Sequence, residues 1–277
     1  MIIVPGFMNM VGVRDTFTVL GISAPVADYS QSFFPVILGV WIMSYVYKGV
    51  KKIVPEVLSF VFVPFLTMFI MAPVMFCVCA PLGAYIGNIL ASIFTYLGSS
   101  GGLLSVLGLI ILGAIMPFIT IGGMHSAVYM PAIATILSTG SEGFVMVIGQ
   151  TYSWAIYGLA LGALIKYKKK ENKTVALGYL TSGLIGGISE PILYGIGLNT
   201  KNNMIVMGLS GAICGLIAAI IQPVVHGMTM ATIFTCIAPY AGGSTENLIR
   251  GGIVNILSFV ISAVVMVIFG KFNENEE

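Results

Sequence analysis

Charge is what this chain has least of. Of its 277 residues 8% are Asp, Glu, Lys or Arg and 58% are hydrophobic, with a mean hydropathy of +1.04. Soluble globular domains carry about 25% charged residues, so a soluble fold is excluded and a polytopic membrane protein is implied. At roughly 20 residues per span the length allows at most about ten segments. The net charge of +2 is too small for a nucleic-acid surface. Histidine is scarce too, with two residues, and the four cysteines (Cys77, Cys79, Cys214, Cys236) all sit in apolar runs. Cys-Val-Cys is not a zinc-ligand spacing and no second pair accompanies it, so inert thiols are expected, with no metal and no cofactor. No nucleophile triad, phosphate-binding loop or dinucleotide fingerprint is present. The start, Met-Ile-Ile-Val-Pro-Gly-Phe, lacks the basic residues of a signal peptide and begins without a polar tail.

What is present is a series of apolar stretches broken by Gly, Pro and two basic clusters. Residues 1–31 are mixed, with Pro5, Gly6, Arg14, Asp15 and Pro25 interrupting any long helix. Phe33 to Tyr47 is a first apolar segment, closed by a basic knot at Lys48, Lys51 and Lys52. Leu58 to Cys79 is the clearest span, with kinks expected at Pro64 and Pro73. Pro81 to Leu97 reads as a separate packed helix. Leu103 to Met116 is a strong run ended by Pro117, and Val128 to Leu137 is too short to cross alone. Phe144 to Ile165 can span. Met204 to Ile221, the region Pro223 to Pro239, and Ile253 to Phe269 complete the chain before a short solvated tail.

Lys166, Lys168, Lys169, Lys170 and Lys173 form the second cluster, expected in the cytoplasm with the first by the positive-inside rule. An even number of crossings must then separate the two. Segments 58–79, 81–97, 103–117 and 144–165 supply four, provided that 119–138 dips into the membrane and returns. Thr174 to Leu198, flanked by Lys173 and Lys201, reads as a second such hairpin.

That second hairpin holds the most informative stretch, Gly186-Gly187-Ile188-Ser189-Glu190-Pro191-Ile192-Leu193-Tyr194-Gly195. A carboxylate at bilayer depth costs at least roughly 2.5–3.5 kcal/mol, so Glu190 must face protein, water or a ligand. Pro191 cannot continue a helical hydrogen bond, and broken backbone at membrane depth is tolerated only where protein buries it or it lines a cavity. The expectation is a re-entrant element presenting Glu190 to a polar substrate. The bland alternative is a structural acid paired with a backbone amide or with Arg250. An uncharged polyol offers the hydroxyl donors that a carboxylate accepts.

His125 lies after Gly122-Gly123-Met124 and before Pro131. A lone histidine in an apolar setting is often a core residue, but its glycine-rich approach favours a site, and neutral imidazole can donate and accept at once. His226 is expected at a helix end with a structural or gating role. Trp41, Tyr45, Tyr152, Trp154 and Tyr157 read mostly as interface or packing residues, with stacking on a sugar face a lesser alternative for Trp154. Two dipping elements, one with a His and one with a Glu, suit transporters whose broken elements meet near the midplane.

Gly187-Ile188-Ser189-Glu190-Pro191-Ile192-Leu193-Tyr194-Gly195 is similar to the Gly-Ile-Thr-Glu-Pro-Ala-Ile-Tyr-Gly signature of enzyme IIC sugar permeases. These belong to the bacterial phosphoenolpyruvate-dependent phosphotransferase system (PTS), in the beta-glucoside-like branch of its glucose superfamily. Tyr29-Ser30-Gln31-Ser32 to Trp41, Lys51-Lys52-Ile53-Val54-Pro55 and Ala80-Pro81-Leu82-Gly83 resemble further stretches of that branch. The likeness runs from about residue 28 to about 270. It implies an all-α, elevator-type homodimer in a bacterial cell membrane. Residues 1–98 would be the remnant of a scaffold and dimerisation half with a linker helix, 99–270 the substrate-binding transport domain, and 271–277 a cytoplasmic tail. The sugar would be held by Glu190 and His125, with Gly123, Gly187, Ser189 and Pro191 shaping their turns. The family's Phe-Gly-Leu-His-Trp-Gly is here Ile121-Gly122-Gly123-Met124-His125-Ser126-Ala127.

The function so implied is sugar translocation coupled to phosphorylation by a phosphorylated IIB partner, itself supplied by IIA. Relative to the family this chain is N-terminally short and has no fused IIB domain, so separate chains would supply those parts unless the chain is a truncated product. The rivals are an ion- or proton-coupled secondary transporter, with Glu190 as proton relay, and a truncated, non-transporting membrane protein.

Overall fold

Four prolines of this molecule, Pro64, Pro73, Pro117 and Pro131, lie inside helices without ending them. The computed structural model describes residues 10, 13, 15–19, 21–26 and 33–272. The chain divides into two units, residues 1–92 and 93–277.

In the first unit an antiparallel hairpin joins β1 (Thr16–Val19) to β2 (Ile22–Pro25), with Thr16 opposite Pro25 and Gly21 at φ 84° in its turn. Helix α1 follows (Phe33–Ile53). The basic knot is therefore the last part of a helix and not a loop, where lysines meet the negative end of the helix dipole. Next, α2 (Glu56–Val74) runs through a π-helical turn (Met75–Cys79) straight into α3 (Ala80–Ser99). Pro73 lies inside α2 and has no N–H to give, and the wider turn begins two residues later. Pro35 packs so tightly on Gly83 that a Cβ there would stand 2.4 Å from the proline ring. Phe17 of the hairpin meets Phe76 of the π-turn edge to face, with centroids 5.3 Å apart.

This continuity corrects the sequence reading. Segments 58–79 and 81–97 are one helical run without a reversal, so they do not count as two crossings, and the parity argument built on them fails. Pro81 sits in the first turn after the π segment, where a missing N–H is tolerated. Pro117 likewise lies inside a helix, α4 (Gly102–Ile121), which ends at Gly122 and Gly123 instead.

The second unit is built around α6 (Val145–Lys166), whose residues from Val145 to Ala163 are buried on almost every face. A helix apolar all round must be surrounded. Around it stand α4, α5 (His125–Thr139), α7 (Lys170–Gly186), α9 (Lys201–Ile221) and α10 (Thr245–Phe269). Between α7 and α9 lie a single helical turn, α8 (Glu190–Ile192), and a second π-turn (Leu193–Gly197). Glycines let two pairs of backbones touch. A Cβ on Gly211 of α9 would stand 2.0 Å from the carbonyl oxygen of Gly113 in α4, and one on Gly158 of α6 would stand 2.1 Å from that of Phe259 in α10. Gly211/Gly215 and Gly158/Gly162 have the four-residue spacing that packs helices within membranes.

Among the described residues four helices are long and apolar enough to cross a membrane: Glu56–Ile86, Gly102–Ile121, Lys201–Ile221 and Thr245–Phe269. The protein is an all-α polytopic membrane protein. At 15 residues α5 rises only about 22 Å, short of the roughly 30 Å hydrocarbon core.

Candidate functional site

Two glycine turns, each followed by an ionisable residue, approach one another in the second unit. At the first, Gly123 takes φ 70° and Met124 N–H bonds back to Ile119 O (2.9 Å), so His125 opens α5. At the second, Gly187 takes φ 69° and its N–H bonds to Gly183 O (2.9 Å), ending α7. A side chain at Gly187 would press on Met230 (3.1 Å) and Thr232 (3.2 Å). Ser189 caps α8 through its carbonyl, which accepts the N–H groups of Ile192 (3.1 Å) and Leu193 (3.0 Å). Glu190 then begins α8, with Pro191 in its first turn, where no N–H is needed.

Tyr194, one turn beyond Glu190, donates its hydroxyl to the carbonyl of Ile121, four residues before His125 (2.9 Å). That bond fastens one turn to the other. Tyr152 lies buried on α6. His125 packs edge to face on Tyr129, centroids 5.9 Å apart, and Tyr129 lies over Gly149 of α6. A Cβ at Gly149 would stand 2.9 Å from that ring.

Several polar atoms here have no protein partner. Among the described residues, His125 Nδ1, Gln150 Oε1, Tyr152 Oη and Thr229 Oγ1 are buried and make no hydrogen bond. The other end of Gln150 is committed, its amide donating to Thr229 O (3.0 Å), and Tyr157 donates to Ala231 O (2.9 Å). These two bonds hold the irregular stretch after α9 along α6. Glu190 forms no ion pair among the described residues, and Arg250 is taken by Glu246 at 2.6 Å. Pairing with Arg250 therefore does not explain the acid. His125 and Glu190 form no ion pair with each other; the Tyr194 hydroxyl bonded to Ile121 O is what links their turns.

Other candidates settle differently. Trp154 is buried against Tyr157 (5.9 Å) and Phe259 (6.3 Å), so it belongs to the core and is not a sugar platform. His226 lies in the irregular stretch and not at a helix end; its Nδ1 meets Gly140 O at 3.0 Å. Glu142, which the sequence did not single out, accepts the N–H groups of Phe144, Val145 and Met146 (2.9, 2.8 and 2.7 Å) and so starts α6. Burial pushes its carboxyl above the usual range, against the pull of those amides. Among the described residues no three His, Cys, Asp or Glu side chains gather where a cation could be held.

A family described as "Phosphotransferase system, EIIC" matches residues 2–206. The chain belongs to this EIIC family. Among curated relatives, the Escherichia coli (strain K12) "PTS system arbutin-, cellobiose-, and salicin-specific EIIBC component" is 27% identical over 96% of this chain and 55% of its own length. The Corynebacterium glutamicum "PTS system mannose-specific EIIBCA component" is 32% identical over 72% of this chain and 29% of its own length. The Bacillus subtilis (strain 168) "PTS system sucrose-specific EIIBC component" is 26% identical over 99% of this chain and 59% of its own length. The chain thus spans little more than half of the longest-matched of these EIIC relatives. No solved structure matches it.

Proposed function

We propose that this EIIC chain carries a sugar across a bacterial cell membrane and presents it for phosphorylation, with Glu190 and His125 holding the sugar. The observation that carries the reading is the meeting of the two glycine turns, fastened by Tyr194 and Ile121, around polar atoms that the protein leaves unpartnered. Buried polar groups are normally paired, and a polyol supplies both donors and acceptors. The chain holds no phosphoryl-donor residue in this reading; a phosphorylated IIB partner, charged by IIA, supplies the group, and the EIIC site contributes position. The names of the relatives, EIIBC and EIIBCA, support such partners. The sugar belongs to the beta-glucoside or related disaccharide class, in line with the arbutin, cellobiose, salicin and sucrose of those names.

The short α5 and the single-turn α8 act as re-entrant elements around His125 and Glu190, held in a transport domain that moves as an elevator within a homodimer. Gly123, Gly187, Ser189 and Pro191 hold the two turns open toward the substrate. Lys166, Lys168, Lys169, Lys170 and Lys173 mark a cytoplasmic end of that domain.

Glu190→Gln is the test. Membrane insertion is expected to be unchanged while sugar binding falls by about 1.5–3 kcal/mol, the scale of a hydrogen bond to a charged group, with loss of uptake. Unchanged uptake by that variant, or proton-coupled uptake of unphosphorylated sugar by the wild type with IIB present, overturns the reading.

A further inference from the structure

One side chain holds the far end of the Glu190 turn. The π-turn after α8 stops at Gly197, which leaves the carbonyl of Ile196 at a helix end, where no regular N–H follows to reach it. Asn203, in the first turn of α9, donates its Nδ2–H to that carbonyl at 3.1 Å. The other end of the same amide accepts the backbone N–H of Lys271 at 2.8 Å, just past the end of α10. Asn203 and Ile196 are both wholly buried. An amide can donate at one end and accept at the other; a leucine of similar volume would leave a carbonyl and an N–H unpaired. Asn203 is itself firmly seated. Its own N–H goes to Thr200 Oγ1 (3.1 Å), and α9 touches α4 backbone to backbone at Gly211 and Gly113. Close by, Lys166 Nζ donates to Val267 O (2.7 Å) and Asn202 donates to Phe269 O. Those two bonds fasten the end of α10 alone, whereas the bond from Asn203 reaches the turn.

The turn is thus tied at three places. Gly187 N–H on Gly183 O fixes its start, and Tyr194 on Ile121 O joins its middle to the His125 turn. Asn203 on Ile196 O joins its end to the frame made by α9 and α10. Glu190 lies between the first two ties and upstream of the third. Ordering a loose segment on binding costs affinity, and holding it ready beforehand removes that cost. We propose that Asn203 is a positioning residue for the sugar site: it clips the turn that carries Glu190 to the end of α10 and holds the carboxylate ready before the sugar arrives. The inference rests on the sugar-binding reading above. Asn203 touches no sugar in it and acts through the Glu190 turn.

The experiment uses the full chain in lipid nanodiscs. It measures equilibrium binding of cellobiose, salicin and sucrose, and amide hydrogen exchange of the sugar-free protein, for the wild type, Asn203→Leu, Asn202→Ala and Glu190→Gln. Asn203→Leu is expected to weaken binding of the tightest sugar about 3- to 10-fold, the scale of one hydrogen bond. It should also speed exchange over residues 193–198 while exchange within α6 stays as in the wild type. Asn202→Ala breaks a bond at the same end of α10 but none to the turn, and should leave both readouts unchanged. Wild-type affinity or wild-type exchange in Asn203→Leu overturns the inference. An equal loss of affinity in Asn202→Ala also overturns it, since that end of the unit would then be loosening as a whole. Should Asn203→Leu fail to fold, Lys271→Pro decides. It removes only the N–H that Asn203 accepts, after a Gly270 whose φ of −59° and ψ of 147° suit a following proline, and must show the same two changes at smaller size. Glu190→Gln separates the two readings: if it weakens binding while Asn203→Leu does not, the clip fails and the site stands. If Asn203→Leu loosens the turn while Glu190→Gln binds as tightly as the wild type, the site fails and Asn203 is structural only. If the wild type binds none of the three sugars, both fail.

Discussion

The turns before His125 and before Glu190 are started alike and finished differently. Each ends a long helix with a glycine in the left-handed region, Gly123 at φ 70° and Gly187 at φ 69°, and each places its ionisable residue at the first position of the next helix. After His125 the backbone settles into fifteen residues of α-helix, and the imidazole is part-buried against Tyr129. Beyond Glu190 it makes one turn, widens into a π-turn through Gly195 and Gly197, and leaves the carboxylate exposed. The histidine side is thus a fixed wall, and the glutamate side is the part built from weaker helix. On the function proposed above, the wall would orient the sugar and the looser turn would admit and release it.

Substitutions along the two turns sharpen that comparison. The largest loss is expected at Gly187→Ala, where a Cβ meets both Met230 and Thr232 on top of the roughly 1–2 kcal/mol of left-handed strain. Gly123→Ala carries the same left-handed strain, so its thermal midpoint in nanodiscs should fall as well. An unchanged midpoint would mean that this turn relaxes without cost. Tyr194→Phe cuts the one bond that fastens the turns together, at about 0.5–1.5 kcal/mol, and should weaken sugar binding along with stability. Stability loss without a change in affinity would mean that the fastening is unrelated to the site. The smallest effect is expected at Gly186→Ala, one residue before Gly187 but still helical, where the Cβ meets only Ile188 at 3.6 Å. A gain of up to about 0.5–1 kcal/mol is expected there, measured as a raised midpoint.

Much of the candidate site was legible in the chain because membrane burial makes an acid conspicuous. Glu190 stands in an apolar run between glycines and a proline, and no lipid-facing helix tolerates that grouping. His125 was legible for the same reason, through Gly122 and Gly123. The direction of side chains on α6 was not, since that helix is buried on almost every face and its apolar pattern has no preferred side. Trp154 packs in the core, as its first reading had it, but nothing in the local sequence says that it turns to Phe259 and not to a ligand. The joining of α2 to α3 was hidden at Pro81, which read as the start of a new segment but follows a π-turn within one helical run. The hairpin at 16–25 was hidden by its brevity, with four residues a strand.

The account depends most on one sugar being held by both turns at once. The direct measurement is a double-mutant cycle on sugar affinity with Glu190→Gln, His125→Ala and the pair. Residues holding one ligand are expected to couple, so the double variant should lose less than the sum of the singles by at least about 0.5 kcal/mol. Losses that add within experimental error would contradict the claim, because the two side chains would then be acting on separate events.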